Sequence, residues 1–200
     1  MEPLTGEAVY NLIILGNREV GKTSISWRYV KEVFYKNPLP TEGVDFLTKT
    51  IPEPNLRVRL KISDTSGKEC FREILLKSTR VHGAMLVYDI HDRESYDAAK
   101  QWVVKLKARQ YPWIVLALVG NKMDVPKDRV ISTEEAKHYA QENGLLFSET
   151  SAKADINITE CFLNIAIRIR QMDVTAILEE CDQRMKNRNQ SCRFPRFRWL

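Results

Sequence analysis

The run Gly16-Asn17-Arg18-Glu19-Val20-Gly21-Lys22-Thr23 constrains this chain more than any other stretch. It follows the apolar segment Leu12 to Leu15 and precedes a helix-like segment, Ser24 to Lys31, so a G-x-x-x-x-G-K-[ST] pattern stands between a buried strand and a helix start. Two glycines allow a turn tight enough for successive backbone N–H groups to converge on phosphate oxygens, with the positive end of the helix dipole behind them. The pattern assigns Gly16, Arg18, Glu19, Val20, Gly21 and Ser24 to the lining of such a loop. Lys22 would reach the β- and γ-phosphates, and the Thr23 hydroxyl would bind Mg²⁺.

The rest of the chain reads as strands alternating with helices. Val9 to Leu15 is almost continuously apolar, as suits a central parallel strand covered on both faces. Phe46 to Ile51 and Leu56 to Ile62 flank Pro52-Glu53-Pro54-Asn55, and the second run alternates Leu56, Val58, Leu60 and Ile62 with Arg57, Arg59 and Lys61, which predicts a hairpin with one solvated face. Ala84 to Tyr88, Trp113 to Val119 and Leu145 to Phe147 are further short apolar runs. Helices are expected over Ser95 to Ala108, after the capping box Ser132-x-x-Glu135 with Gly144 as its stop, and along the 3.6-residue stripe Ile158, Cys161, Phe162, Ile165, Ala166 and Ile169. This is the pattern of a doubly wound α/β sheet, in which ligands bind at the carboxyl ends of the strands.

Further motifs fall at such ends. Asp64-Thr65-Ser66-Gly67 follows the strand ending at Ile62; Asp64 there can hold a Mg²⁺-bound water, and the Gly67 N–H can meet a γ-phosphate. Asn121-Lys122-Met123-Asp124 follows the strand ending at Val119. The Asp124 carboxylate can accept two hydrogen bonds from the N1–H and exocyclic amine of guanine, a pair that adenine does not offer. Glu149-Thr150-Ser151-Ala152-Lys153 follows the last strand, where the Ala152 N–H can reach the guanine carbonyl, with Ser151 and Lys153 beside it.

With these four motifs in this order, residues 8 to 172 resemble the Ras-like small GTPases, and within them the Rab family. Thr41-Glu42-Gly43-Val44-Asp45-Phe46-Leu47-Thr48 is similar to the Rab switch I segment, and Leu145-Leu146-Phe147 with Glu149 to Lys153 is similar to the early-endosomal branch. The resemblance implies a mostly parallel six-stranded sheet with one antiparallel edge strand and helices on both faces. It also implies GTP/GDP and Mg²⁺ as cofactors, a GTPase reaction, switch loops that order around the γ-phosphate, and protein effectors, an exchange factor and an activating protein in vesicle traffic. Thr41 matches the family's Mg²⁺-binding switch threonine, so the implied metal set is Thr23, Thr41 and Asp64. Lys122 matches the lysine whose stem covers the base. Phe34 matches the aromatic edge-on to it, with a helix-end core aromatic as the other reading.

Departures in three regions bear on function, the first being the pair Lys68 and Arg18 at the catalytic loops, the second the effector region. Where Rab proteins resemble one another at Asp-Thr-Ala-Gly-Gln, this chain has Asp64-Thr65-Ser66-Gly67-Lys68. The glutamine orients the attacking water by donating and accepting together, whereas a lysine ammonium has three donors and no acceptor. Arg18 stands where Ras proteins carry glycine and crowds the γ-phosphate and the approach of an activating protein's arginine. With Lys22, Gly67 and Thr41, Lys68 completes the expected catalytic set, and slow hydrolysis is the expectation. Two other readings stand beside it: a cation that partly replaces an arginine finger, and two solvated cations with residual activity. A nucleotide-locked binding module without meaningful turnover is the alternative function. In the effector region Phe46 is kept, but the tryptophan before the Asp is Ser63, and paired tyrosines are replaced by Ser78 and Thr79.

The third departure is the tail. The net charge of +5 is concentrated there: Arg184, Lys186, Arg188, Arg193, Arg196 and Arg198 occur with no acidic residue from Arg184 to Leu200, so the basic excess argues against nucleic acid as a partner. The chain ends Cys192-Arg193-Phe194-Pro195-Arg196-Phe197-Arg198-Trp199-Leu200, without the prenylated cysteines of Rab tails. Residues 173–200 are therefore read as a basic tail, either disordered or resting weakly on an anionic leaflet, with Cys192 open to acylation. No apolar run approaches the ~18 residues of a membrane span, the N-terminus lacks a signal-peptide core, and the four cysteines show no disulfide or zinc spacing. A cytoplasmic monomer, peripheral on endosomal membranes, is expected.

Overall fold

The computed structural model describes residues 7–36, 39, 41, 43–51, 53, 56–65, 80–108 and 114–191, with side chains as far as Thr175. Ser66, Gly67, Lys68, Ser78, Thr79, Trp113 and Cys192–Leu200, on which several expectations fall, lie outside the described residues.

Six strands form one sheet in the order β2-β3-β1-β4-β5-β6. They are β1 (Ala8–Leu15), β2 (Val44–Thr50), β3 (Val58–Thr65), β4 (Gly83–Asp89), β5 (Val115–Asn121) and β6 (Leu146–Glu149). Every neighbouring pair is parallel except β2 with β3, which form the expected hairpin. Four described helices accompany them: α1 (Lys22–Lys31), α2 (Arg93–Ala108), α3 (Thr133–Glu142) and α4 (Ile158–Ser191).

Period-two alternation divides the central strands between two cores. Leu12 and Ile14 of β1, Met85 and Val87 of β4, and Ala117 and Val119 of β5 face a cluster completed by α1 and α4. Ile13 and Leu15, Leu86 and Tyr88, and Leu116 and Leu118 face the opposite cluster, closed by α2 and α3. Apolar residues at every position are what a strand buried on both faces requires. In β3, by contrast, Val58, Leu60 and Ile62 are buried while Arg59 and Lys61 are exposed, as their alternation predicts. Tyr29 of α1 stacks on Phe162 of α4 with ring centroids 3.9 Å apart, pinning the first helix to the last.

Local chemistry explains the helix ends. Ser132 caps α3 by accepting the Glu135 N–H at 3.1 Å, but the Glu135 carboxylate does not close the capping box; it pairs with Arg93 of α2. Gly144, at φ +65°, takes the left-handed conformation after α3. The last helix continues to Ser191, across the boundary at residue 172 that the family resemblance draws.

Candidate nucleotide-binding site

The loop from Gly16 to Gly21 joins β1 to α1 at the carboxyl edge of the sheet. Its glycines are demanded by contact as well as by turn geometry. A Cβ on Gly16 would lie 2.2 Å from the Val87 carbonyl oxygen of β4, and one on Gly21, at φ +93°, would lie 2.3 Å from the Asn121 amide nitrogen. Glu19 is also left-handed, at φ 66°, and exposed beside Arg18, while Val20 is buried in the core. Helix α1 begins at Lys22, two residues before the sequence pattern suggests, which puts Lys22, Thr23 and Ser24 in its first turn. No side chain caps that turn and no acidic residue lies in it, unlike α3, which has both devices. An uncapped, acid-free helix N-terminus beneath a glycine loop suits an anion. Lys22 is buried, and its ammonium donates to the Asn17 carbonyl across the loop at 2.7 Å.

The three residues implied for Mg²⁺ converge. The hydroxyl oxygens of Thr23 and Thr41 are 2.8 Å apart. Adjacent ligands of an octahedral Mg²⁺ at its usual bond length stand about 3.0 Å apart, so the two hydroxyls are spaced to share one ion. Behind them Asp64 is fully buried, and neither carboxylate oxygen has a hydrogen bond of good geometry among the described residues. Burial raises its pKa from 3.8 to about 6, with the Thr23 hydroxyl and the Lys22 ammonium holding the shift back. A buried carboxylate of this kind is costly unless a cation or a cation-bound water completes it. The residues present therefore fit Mg²⁺, with Thr23 and Thr41 as direct ligands and Asp64 acting through water. Gly67 and Lys68, expected beside the γ-phosphate, lie outside the described residues.

The base end is built from three strand ends. Asn121 closes β5; its amide donates to the Val20 carbonyl at 2.9 Å, and its carbonyl oxygen accepts the Ala152 N–H at 3.3 Å, so one buried side chain ties the phosphate loop to the Ser151–Lys153 loop. Asp124 accepts the Ser151 hydroxyl at 2.6 Å on one oxygen and faces the Lys153 ammonium at 3.6 Å on the other. This orients the carboxylate while each oxygen keeps acceptor capacity for a base. Phe34, half-buried just beyond α1, packs against the core and lies under the Arg28 guanidinium at 5.9 Å, so the core reading of this aromatic is compatible with its place near the loop. Arg28 in turn donates to the Ala152 carbonyl at 2.9 Å.

Two sets of contacts were not legible from motif spacing. Arg129 and Thr133 both bond the Glu149 carboxylate, holding the end of β6 against the start of α3. Asp89, at the end of β4, is shared by Lys122 and His91, the Lys122 ammonium lying 2.6 Å from one carboxylate oxygen. The available signal was position alone: Asp89 and His91 follow an apolar strand at the edge where ligands bind. In the switch region Phe46 is 71% exposed and stands opposite Ser63 in the β2–β3 register, where Rab proteins carry tryptophan; no second aromatic covers it from that position.

A glycine loop between β1 and α1, two hydroxyls meeting by a buried carboxylate, and the loops after β5 and β6 gathered on one edge of a doubly wound sheet define a P-loop α/β domain. Residues 11–171 match the Ras family, and the chain belongs to it. It is 38% identical over 167 residues, 83% of each chain, to Ras-related protein Rab-5A of Dictyostelium discoideum. These matches place it among the Rab-like small GTPases of the Ras superfamily.

Proposed function

We propose that this protein is a guanine-nucleotide switch of vesicle trafficking, peripheral on endosomal membranes, that binds GTP or GDP with Mg²⁺ through residues 8–172 and hydrolyses GTP slowly. The convergence of Thr23, Thr41 and buried Asp64 beside the phosphate loop carries the reading. Bound there, Mg²⁺ would neutralise charge on the β- and γ-phosphate oxygens. The chain's own part is to cradle phosphate with the amides from Gly16 to Ser24 and with Lys22, and to read guanine with Asp124, Ala152 and the stem of Lys122. Slow hydrolysis rests on Lys68 and Arg18. An ammonium at position 68 has no acceptor for the attacking water, and Arg18 is a bulky exposed cation in the loop. Effectors, an exchange factor and an activating protein remain the expected partners, with an effector surface altered at Ser63. The second reading, a binding module locked with GTP, is favoured by the same two cations.

The test is to purify the protein with Mg²⁺, denature it and identify the released nucleotide by chromatography. Mostly GTP supports slow turnover or the locked module, and a single-turnover assay separates these two. Mostly GDP overturns both, leaving an ordinary cycling GTPase, and no guanine nucleotide refutes the binding assignment.

A further inference from the structure

Lys122 occupies a left-handed backbone position, φ 70°, in the loop after β5, and its ammonium lies 2.6 Å from Oδ2 of Asp89. The register pairs Asp89 directly with Asn121, so the carboxylate is fixed by the sheet one residue from the lysine it holds. Its other oxygen, Oδ1, accepts the His91 backbone N–H at 3.0 Å and faces the His91 ring at Nδ1, 2.8 Å away. The far ring nitrogen, Nε2, is 2.7 Å from the carbonyl oxygen of Val125, the residue after Asp124. His91 thus bridges the end of β4 to the far side of the loop carrying Lys122 and Asp124.

The chemistry of the two partners sets the state of the ring. An ionised carboxylate and a backbone carbonyl are both acceptors, so only a ring with protons on both nitrogens satisfies both; a neutral imidazole must turn a lone pair toward one of them. The charged groups bearing on the ring are Asp89 from β4, which favours its proton, and Lys122 from the loop, which opposes it. Burial also opposes protonation, yet the bonds to Asp89 and Val125 leave the His91 pKa raised. Asp89 is held below the usual carboxylate range despite burial, by its bonds to Lys122 and His91.

We propose that Asp89 and His91 are positioning residues for guanine recognition: doubly protonated His91 clamps the Lys122–Val125 loop to β4, and nucleotide is released faster when the ring loses a proton. The inference rests on the guanine-site reading above. On deprotonation the ring keeps its N–H toward the carboxylate, the bond to the Val125 carbonyl is lost, and the loop bearing Asp124 is freed at one end. Neither residue need touch the base.

The experiment measures release of a fluorescent GDP analogue, in constant Mg²⁺, from about pH 5.5 to about pH 8.5. The intact wild-type chain is compared with His91→Gln, whose single amide nitrogen can serve only one of the two acceptors and which does not titrate. Titration of the nucleotide and of the metal site is common to both proteins, so the difference between the profiles isolates His91. The expected result is an additional rise of about two- to tenfold with pH in the wild type, the scale of one hydrogen bond, absent in the variant. Parallel profiles overturn the proposal. If His91→Gln does not fold, nitrogen chemical shifts of the ring in nucleotide-bound wild type decide: a His91 titration midpoint matching that of the release profile supports the clamp, and a mismatch overturns it. A wild-type protein that holds no guanine nucleotide at any pH fails earlier, refuting the site assignment itself, whereas binding with parallel profiles defeats only the clamp.

Discussion

The Thr23 and Thr41 hydroxyls, eighteen residues apart in the chain, meet at 2.8 Å above the buried carboxylate of Asp64. A pair so close can be bridged by one proton or by one cation, and the buried carboxylate behind it, only partly offset by Lys22 and the Thr23 hydroxyl, favours the cation. If the pair is a metal site, chelating Mg²⁺ should accelerate GDP release by at least about tenfold, and Thr23→Ala should release as fast with Mg²⁺ as the wild type does without it. Stopped-flow release measurements check both, and a metal-independent rate in the wild type would refute the assignment.

Asp64 also makes a pH prediction for the metal-free protein. Its pKa is 3.8 when solvated and about 6 in the fold. Between these values the folded protein holds a proton that the unfolded chain has released, so stability falls as pH rises from about 4 to about 6 and stays low above that, by a total on the order of 3 kcal/mol. Mg²⁺ should restore the loss at neutral pH. Metal-free Asp64→Asn should be more stable than metal-free wild type at neutral pH and gain less from Mg²⁺ than the wild type does. Thermal melts across pH, with and without the ion, test this; a wild type whose stability is flat through that range contradicts it.

Gly21→Ala tests the approach of the phosphate loop to Asn121. The new methyl would sit 2.3 Å from the Asn121 amide at a φ of +93° that alanine rarely adopts. Backbone strain of about 1–3 kcal/mol predicts weakening of GDP binding by roughly 10- to 100-fold, readable by titration calorimetry. Unaltered affinity would mean that the loop and the base end do not depend on this contact.

Asn121→Ala removes the two bonds by which this side chain ties the phosphate loop to the Ser151–Lys153 loop. Leaving the buried Val20 carbonyl and Ala152 N–H unpaired should cost about 1–3 kcal/mol. The expected consequence is a melting temperature lower by several degrees without nucleotide, with a further loss of GDP affinity. A variant that melts with the wild type would show those groups to be satisfied elsewhere.

For turnover, Lys68→Gln combined with Arg18→Gly should raise single-turnover GTP hydrolysis by at least about tenfold, because the pair restores a water-orienting acceptor and clears the loop. A fall in rate would instead identify one of the cations as a substitute for an arginine finger.

Much of the architecture was written in neighbouring residues. Side-chain period, the glycines of the phosphate loop, the Ser132 cap and the stripe from Ile158 to Ile169 act within a few residues of themselves, so strand, turn and helix could be read locally. The capping box was legible only in half, because Glu135 found Arg93 in another helix. The same limit applied to α4: periodicity marked its buried face, whereas the helix runs on to Ser191.

Motif residues came from the sequence; their working contacts came from the sheet. Spacing named Asn121, Asp124, Thr23 and Asp64, because each chemistry needs a particular donor or acceptor at a strand end or helix start; Thr41 and the role of Lys122 came from the family resemblance. That Asn121 would hold Val20, 101 residues away, follows from packing: β4 lies between β1 and β5, and the phosphate loop passes from Gly16 against Val87 of β4 to Gly21 against Asn121 at the end of β5. That Asp89 would hold Lys122 follows from the register placing Asp89 opposite Asn121, whereas its bond to His91, two residues on, is local. Local sequence determines which groups are offered to a site, since conformation and polarity are properties of adjacent residues. Which groups meet, and in what protonation state, is decided only when distant strand ends are packed together and water is excluded between them.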